Sequence, residues 1–177
     1  MDPARADDAL SPLVGIVLMV AVTVILAAII LALLSWLPHL CDPFPPSVIK
    51  IEEIHDYNEA GTKLTYASRV LLRNFGTKDL PNRQITGAFY SDGKRVQCTM
   101  KSFHGEDYPD GFHRSGFKTM GGEGCRGLTW EAGASVLIDF NERTFMPGQT
   151  VRVDIIDSGT GCVISSDSFR RGPDPVR

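Results

Sequence analysis

Charge is missing from one long stretch of this 177-residue chain: between residues 10 and 40 there is no Asp, Glu, Lys or Arg. That absence excludes a solvated surface helix or a disordered tail over those residues, since both need polar side chains in water. A basic excess is missing too. Beyond residue 40 the chain holds 17 Lys and Arg against 18 Asp and Glu. No net basic face is on offer to displace counterions, so no nucleic-acid partner is expected. No G-x-S-x-G occurs, which removes the usual hydrolase nucleophile turn. Asn58, Asn74, Asn82 and Asn141 all lack Ser or Thr two residues on, so there is no N-glycosylation acceptor. Cysteine is scarce: Cys41, Cys98, Cys125 and Cys162 all follow the charge-free stretch. An even count placed there suits an oxidising exterior and disulfide formation.

What fills the gap is apolar. Residues 13–37 read LVGIVLMVAVTVILAAIILALLSWL, interrupted only by Gly15, Thr23 and Ser35. About 20 apolar residues cross a hydrocarbon core as a helix, and a helix is the only form in which an isolated span satisfies its own backbone. Trp36 stands near the distal end, where an amphipathic ring favours the headgroup layer. Pro38 then stops the helix. The run is too long for a signal-peptide core, and no A-x-A-like site follows it in LPHLCDPF. Thr23, Ala27, Ala28 and Ala32 recur at three- and four-residue steps, which reads as one helix face of little bulk for helix–helix packing. Arg5 is the only basic side chain before the run, beside three aspartates, so charge alone barely sets the orientation.

The segment Asp8-Ala9-Leu10-Ser11-Pro12-Leu13-Val14-Gly15-Ile16-Val17-Leu18-Met19, continuing to Ala27-Ala28, resembles the N-terminal signature of archaeal type IV pilins. The resemblance rests on Ser11, Pro12 and Gly15 in register with the apolar run, and covers about the first fifth of the chain. It implies a prepilin peptidase that removes a short leader on the cytoplasmic side, after a small residue that follows a charged one. Ala9 before Leu10 fits, and so does Ala6 before Asp7. It also implies assembly with copies of itself and other pilins by the pilus machinery, moving from the membrane into an extracellular filament with the C-terminal domain outside. Archaellins are close relatives, but Ser11-Pro12 replaces their usual start and favours adhesive pili. The alternative is a single-pass, membrane-anchored binding module that never polymerises.

Residues 39–47 are a Pro-rich neck, CDPFPPS at its core, and from 48 to 177 period-2 and β-branched runs dominate. Strands are expected at 48–54, 64–73, 85–90, 95–100, 135–140, 150–156 and 163–169. Asp92-Gly93 marks a hairpin turn, Pro147-Gly148 a second turn, and Asp157 to Gly161 joins the last two strands. The expected class is α+β: a leader at 1–9, a transmembrane or filament-core helix at 10–38, then an all-β immunoglobulin-like sandwich. Four cysteines allow three pairings. Cys98 with Cys125 and Cys41 with Cys162 are the pair chosen, the first stapling a long loop and the second tying the neck to the last hairpin.

That loop, 102–127, is the best candidate for partner contact, though Phe103, Tyr108, Phe112 and Phe117 within it more naturally pack down. His104, Glu106, Asp107, Asp110 and His113 crowd it, but at no spacing that builds a metal cage. Gly122-Glu123-Gly124-Cys125-Arg126-Gly127 spells G-x-G-x-x-G without the strand–turn–helix context the motif needs. No catalytic residue, cofactor or metal is therefore assigned, and the chain is not expected to be an enzyme. The leader carries a direct test. The intact mass of the purified mature protein is expected to place its first residue at Leu10, or at Asp7 by the second site, and a retained Met1 would contradict the resemblance.

Overall fold

The computed structural model describes residues 4–36, 48–58, 60–108 and 112–173. The chain divides into two compact units, 1–40 and 41–177. The first carries one helix, α1 (Ala4–Trp36). The helix runs without a break through Pro12, whose missing N–H leaves the Asp8 carbonyl without its usual donor. The expected stop at Pro38 and the neck at 39–47 lie outside the described residues.

The second unit is built from ten strands: β1 (Ile49–Tyr57), β2 (Leu64–Asn74), β3 (Leu80–Pro81), β4 (Ile85–Ser91), β5 (Lys94–Arg95), β6 (Phe117–Gly121), β7 (Thr129–Trp130), β8 (Ser135–Phe140), β9 (Thr150–Asp157) and β10 (Val163–Arg170). They form two antiparallel four-stranded sheets, ordered β1-β2-β8-β6 and β10-β9-β4-β5, with β3 and β7 as a short side ladder. That order is the ABED and GFCC′ arrangement of an immunoglobulin-like sandwich. One core of buried side chains fills the space between the sheets, including Val70, Leu72, Ile138, Val151, Val153 and Ile155. Phe140 lies at its centre, edge-on to Phe89 at 4.8 Å and to Phe145 at 5.1 Å.

Period-2 patterning explains the strands, and two departures from it are informative. Ile49, Ile51 and Ile54 are all buried although their spacing changes phase. A bulge between Ile51 and Glu53 inserts the extra residue that keeps all three facing inward. In β2, Tyr66 and Ser68 adopt φ of 52° and 56°, a left-handed conformation that L-residues with bulky side chains avoid. The bonds that hold them come from far along the chain: Ser68 Oγ receives the Phe145 N–H at 2.9 Å, and the Tyr66 carbonyl receives that of Arg143 at 2.8 Å. The turns behave as their composition requires. Asp92 and Gly93 both have positive φ, as a tight right-twisting hairpin demands.

One expected strand does not form. Of residues 95–100 only Arg95 is a strand residue, paired with β4 beside its neighbour Lys94, and the Val96 N–H adds one bond to the Phe89 carbonyl at 2.8 Å. The segment that follows instead runs past the edge of β4, its Met100 carbonyl taken by the Thr86 hydroxyl. Residues 117–121, read as loop, form β6 because β8 offers its free edge to Phe117 and Met120.

The two sheets are also joined along an edge. Ser165 Oγ accepts the N–H groups of Val48 and Ile49 at 2.9 Å each, and Asp167 Oδ2 accepts that of Ile51 at 2.9 Å. Side chains of β10 thus complete the backbone bonding of edge strand β1. Ser165→Ala would orphan two N–H groups, one of them fully buried, and is expected to cost about 2–4 kcal/mol. Ser168→Ala, exposed on the same strand, should stay within about 0.5 kcal/mol. Thermal or urea unfolding of the two variants side by side checks this, and equal stabilities would contradict the clasp.

Candidate functional site

The one helix is the most unusual surface of the molecule. From Val14 to Leu33 it is long and apolar enough to cross a membrane, and every residue in that span is exposed. At about 1.5 Å per residue the span measures roughly 30 Å, the thickness of a bilayer's hydrocarbon core. Its hydroxyl is satisfied within the helix: Thr23 Oγ1 donates to the Val20 carbonyl at 2.8 Å. Fourteen large apolar side chains on it lie open. Burial of each is worth about 1.5–3 kcal/mol, so their sum exceeds the 5–15 kcal/mol that typically holds a whole domain folded. Water is not a tenable surrounding for this surface.

The four small residues do not make a single face. At about 100° per residue a regular helix sets Thr23 and Ala27 on one side and Ala28 and Ala32 roughly 140° away. The expectation of one low-bulk stripe therefore gives way to two, on different sides of the helix. Gly15 leaves open space around it, with nothing within 4 Å of where a Cβ would stand. The backbone is helical at both candidate cleavage bonds, Ala6-Asp7 and Ala9-Leu10, and the unpaired Asp8 carbonyl sits between them.

The cysteines divide differently from the expected pairing. Cys98 and Cys125 are free thiols. The reason is the strand between their neighbours: the Cys98 backbone packs against Gly116, just before β6, while Cys125 follows Gly122, just after it. Five strand residues span about 16 Å, far beyond disulfide reach. Burial pushes both thiols above their ordinary pKa. Cys162 is disulfide-bonded, while Cys41, its expected partner, lies outside the described residues.

The loop 102–127 packs down. Phe103 and Phe117 are fully buried, Tyr108 nearly so, and Tyr108, Phe112 and Phe117 form a ring cluster with centroids 5.1–5.5 Å apart. The Tyr108 hydroxyl accepts the N–H of Lys101 and donates to the Ser102 carbonyl at 2.7 Å. Two of its polar residues, Asp107 and His104, lie against this packing. Asp107 takes the Ser102 hydroxyl at 2.6 Å and Arg83 Nε at 3.1 Å. The first of these bonds, with Arg83 adding to it, holds the Asp107 carboxyl below the usual carboxylate range. His104 is buried, its Nδ1 3.7 Å from Asp107 and Nε2 4.0 Å from Glu106. His113 is exposed elsewhere, Asp110 is outside the described residues, and no group of three metal-ligating side chains converges among those described.

The glycine-rich segment is also a packing device. A Cβ on Gly124 would stand 2.6 Å from the Trp130 ring, and one on Gly122 2.4 Å from the Ser135 carbonyl. Asn82 Nδ2 donates to the carbonyls of Gly124 and Gly127, both at 2.8 Å, closing the turn over the indole. No helix follows it, so it builds no phosphate cradle.

Sequence reading missed one feature. A cavity of about 650 Å3 opens at the end of β1 away from Val48, between Glu53–Tyr57 and the segment after Phe169. Its wall is a buried ion pair, Arg171 to Asp56, with the same guanidinium on the Phe145 carbonyl. Asp56 and Arg171 are 115 residues apart, and no local pattern marks such a pair.

These features define an α+β chain with one apolar helix and an immunoglobulin-like sandwich. No protein-family model and no curated protein sequence matches it. Among solved structures it is similar to the archaellum periplasmic stator protein FlaG from Sulfolobus acidocaldarius, at 12% identity over 68% of this chain and 95% of that one, TM-score 0.38. It is likewise similar to the complex of the stator proteins FlaF and FlaG from the same organism, at 12% identity over 70% and 87%, TM-score 0.37. At that level the likeness extends to neither family nor activity.

The thiols give the test for this site. Non-reducing peptide mapping after alkylation is expected to recover Cys98 and Cys125 as separately labelled thiols. Labelling of Cys98 by iodoacetamide should be slower than that of a free cysteine at pH 7 and catch up as pH rises past the ordinary thiol range. A Cys98–Cys125 linked peptide would contradict the structure.

Proposed function

We propose that this chain is a structural subunit of an archaeal type IV pilus-like surface filament, held first in the membrane by α1 and then packed through it with copies of itself and other pilins. The carrying observation is the fourteen exposed apolar side chains on a helix that is charge-free from Leu10 onward, in a chain whose other unit completes its own core. Lipid and a bundle of like helices are both fit surroundings for that helix, because lipid tails are about as apolar as leucine. Transfer between them costs little hydrophobic free energy, whereas transfer to water would cost the whole sum. The two small-residue stripes support the same reading, since a helix inside a polymer meets neighbours on more than one side.

In this reading a prepilin peptidase cuts at Ala9-Leu10, with Ala6-Asp7 as second choice, and the sandwich faces outward for adhesion or lateral contacts. The missing Pro12 N–H weakens the helix one turn past the first of these bonds, which eases its opening for cleavage. Cys41 and Cys162 bond and tie the neck to the β9–β10 hairpin. No metal, cofactor or catalytic residue has a part.

Leu26 and Ile25 lie near the midpoint of the 20-residue span. Leu26→Arg or Ile25→Asp places a charge there, at about 2.5–3.5 kcal/mol for insertion, or roughly a hundredfold. Electron microscopy of sheared surface filaments, with peptide identification of the subunit, should find the wild-type chain in filaments and neither variant. Normal filaments from either variant would overturn the proposal. A chain found only in membranes with Met1 intact would instead be the non-polymerising anchored module.

A further inference from the structure

The outer face of the β10-β9-β4-β5 sheet carries a line of arginines. Strand register places Arg95 beside Tyr90, Tyr90 beside Arg152, and Arg152 beside Ser168, with Arg170 two residues further along β10. Arg95, Arg152 and Arg170 are all exposed. The side chains of Arg95 and Arg170 make no hydrogen bond or ion pair with any described residue. Arg152 is aimed: its guanidinium lies over the Tyr90 ring at 4.1 Å and bonds Asp154 at 3.1 Å, while Asp154 also receives the Ser166 hydroxyl at 2.7 Å. Asp154 is the one carboxylate that the register sets on this face among the described residues. It is nearly buried.

The line continues past Arg95 into a cavity of about 520 Å3 lined by Gln97, Thr99, His113, Arg114 and Ser115, with no carboxylate among the described residues of its lining. The floor is rigid. Gly116 has φ of 87°, a Cβ there would stand 2.3 Å from the Gln97 carbonyl, and the Thr99 N–H bonds the Ser115 carbonyl at 2.8 Å.

We propose that this face binds a linear, carboxylate-bearing polysaccharide. Guanidinium groups match carboxylates two bonds at a time. Arg95 and Arg152 are two strand spacings apart, about 9.6 Å, and Arg152 and Arg170 are diagonal neighbours at about 7–8 Å. A polymer with widely spaced charges suits that interval. A nucleic-acid duplex, which carries a charge on each strand about every 3.4 Å of its axis, would leave most of its phosphates unmatched. Tyr90 offers no stacking platform for a base, because Arg152 already covers it. A lipid surface is disfavoured as well: the large exposed apolar side chains of the domain are Tyr57, Phe75 and Leu128, none on this face. The reading is independent of filament assembly.

The full-length chain in neutral detergent micelles provides the test, with hyaluronate, which carries a carboxylate on every second sugar only, as the probe. Hyaluronate should bind, weaken as salt rises from 50 to 500 mM, and lose binding when its carboxylates are methyl-esterified. The double variant Arg95→Gln/Arg170→Gln, which removes only unpartnered exposed groups and should melt as wild type, is expected to weaken binding roughly 5- to 25-fold. Adding Arg152→Gln should bring the loss to on the order of a hundredfold. Lys63→Gln and Lys78→Gln, exposed cations away from this sheet, should change nothing. The proposal is overturned by no binding at 50 mM salt, by binding that survives the triple variant, or by tighter binding of duplex DNA, polyglutamate or anionic vesicles.

Discussion

The hydroxyl of Ser165 receives the backbone N–H groups of Val48 and Ile49, and the carboxylate of Asp167 receives that of Ile51. Through these three bonds the edge strand of one sheet is held by side chains from the edge strand of the other. β1 is the first strand after the apolar helix in the chain, so any tension carried along the backbone enters the domain here. The same bonds blunt the edge, since N–H groups already taken cannot template pairing with another chain. Beyond the bulge at Ile51 and Glu53 the two edge strands are no longer stitched in this way, and the Arg171–Asp56 pair closes that end instead.

A second constraint sits on the other unit. The helix presents apolar atoms on all sides, whereas the sandwich keeps its apolar atoms inside and shows water a polar exterior. One chain therefore needs two surroundings. The proposed type IV pilus-like assembly meets that need, because a helix can leave lipid for a bundle without passing through water. The domain can then stay solvated throughout, and its outer face remains free for a ligand.

Inside the domain, polar and glycine residues that could suggest chemistry serve geometry. Asn82 holds the Gly124 turn against Trp130, Asp107 and Ser102 fix the aromatic loop, and the strained Tyr66 and Ser68 are pinned by the β8–β9 connection. The arginine line differs in that two of its three cations have nothing to hold. Their charges serve no internal bond, which is why that face reads as a surface for something else.

Much of this was legible in the residues themselves. A charge-free apolar run can only be a helix in a non-aqueous setting, because its backbone must bond internally. Six of the seven expected strands, the Asp92-Gly93 turn and the sandwich class followed from period-2 burial and turn chemistry, which are local properties. Ile49, Ile51 and Ile54 even announce the bulge through their change of phase. Tertiary structure alone decided the rest. Which cysteines stay apart depends on the length of β6 between them. The Asp56–Arg171 pair, the Ser165 clasp and the arginine line each join residues whose meeting is set by the order of strands in the sheets. Pattern reports which side of a strand is buried; only the packed sheets determine which strand lies next to it.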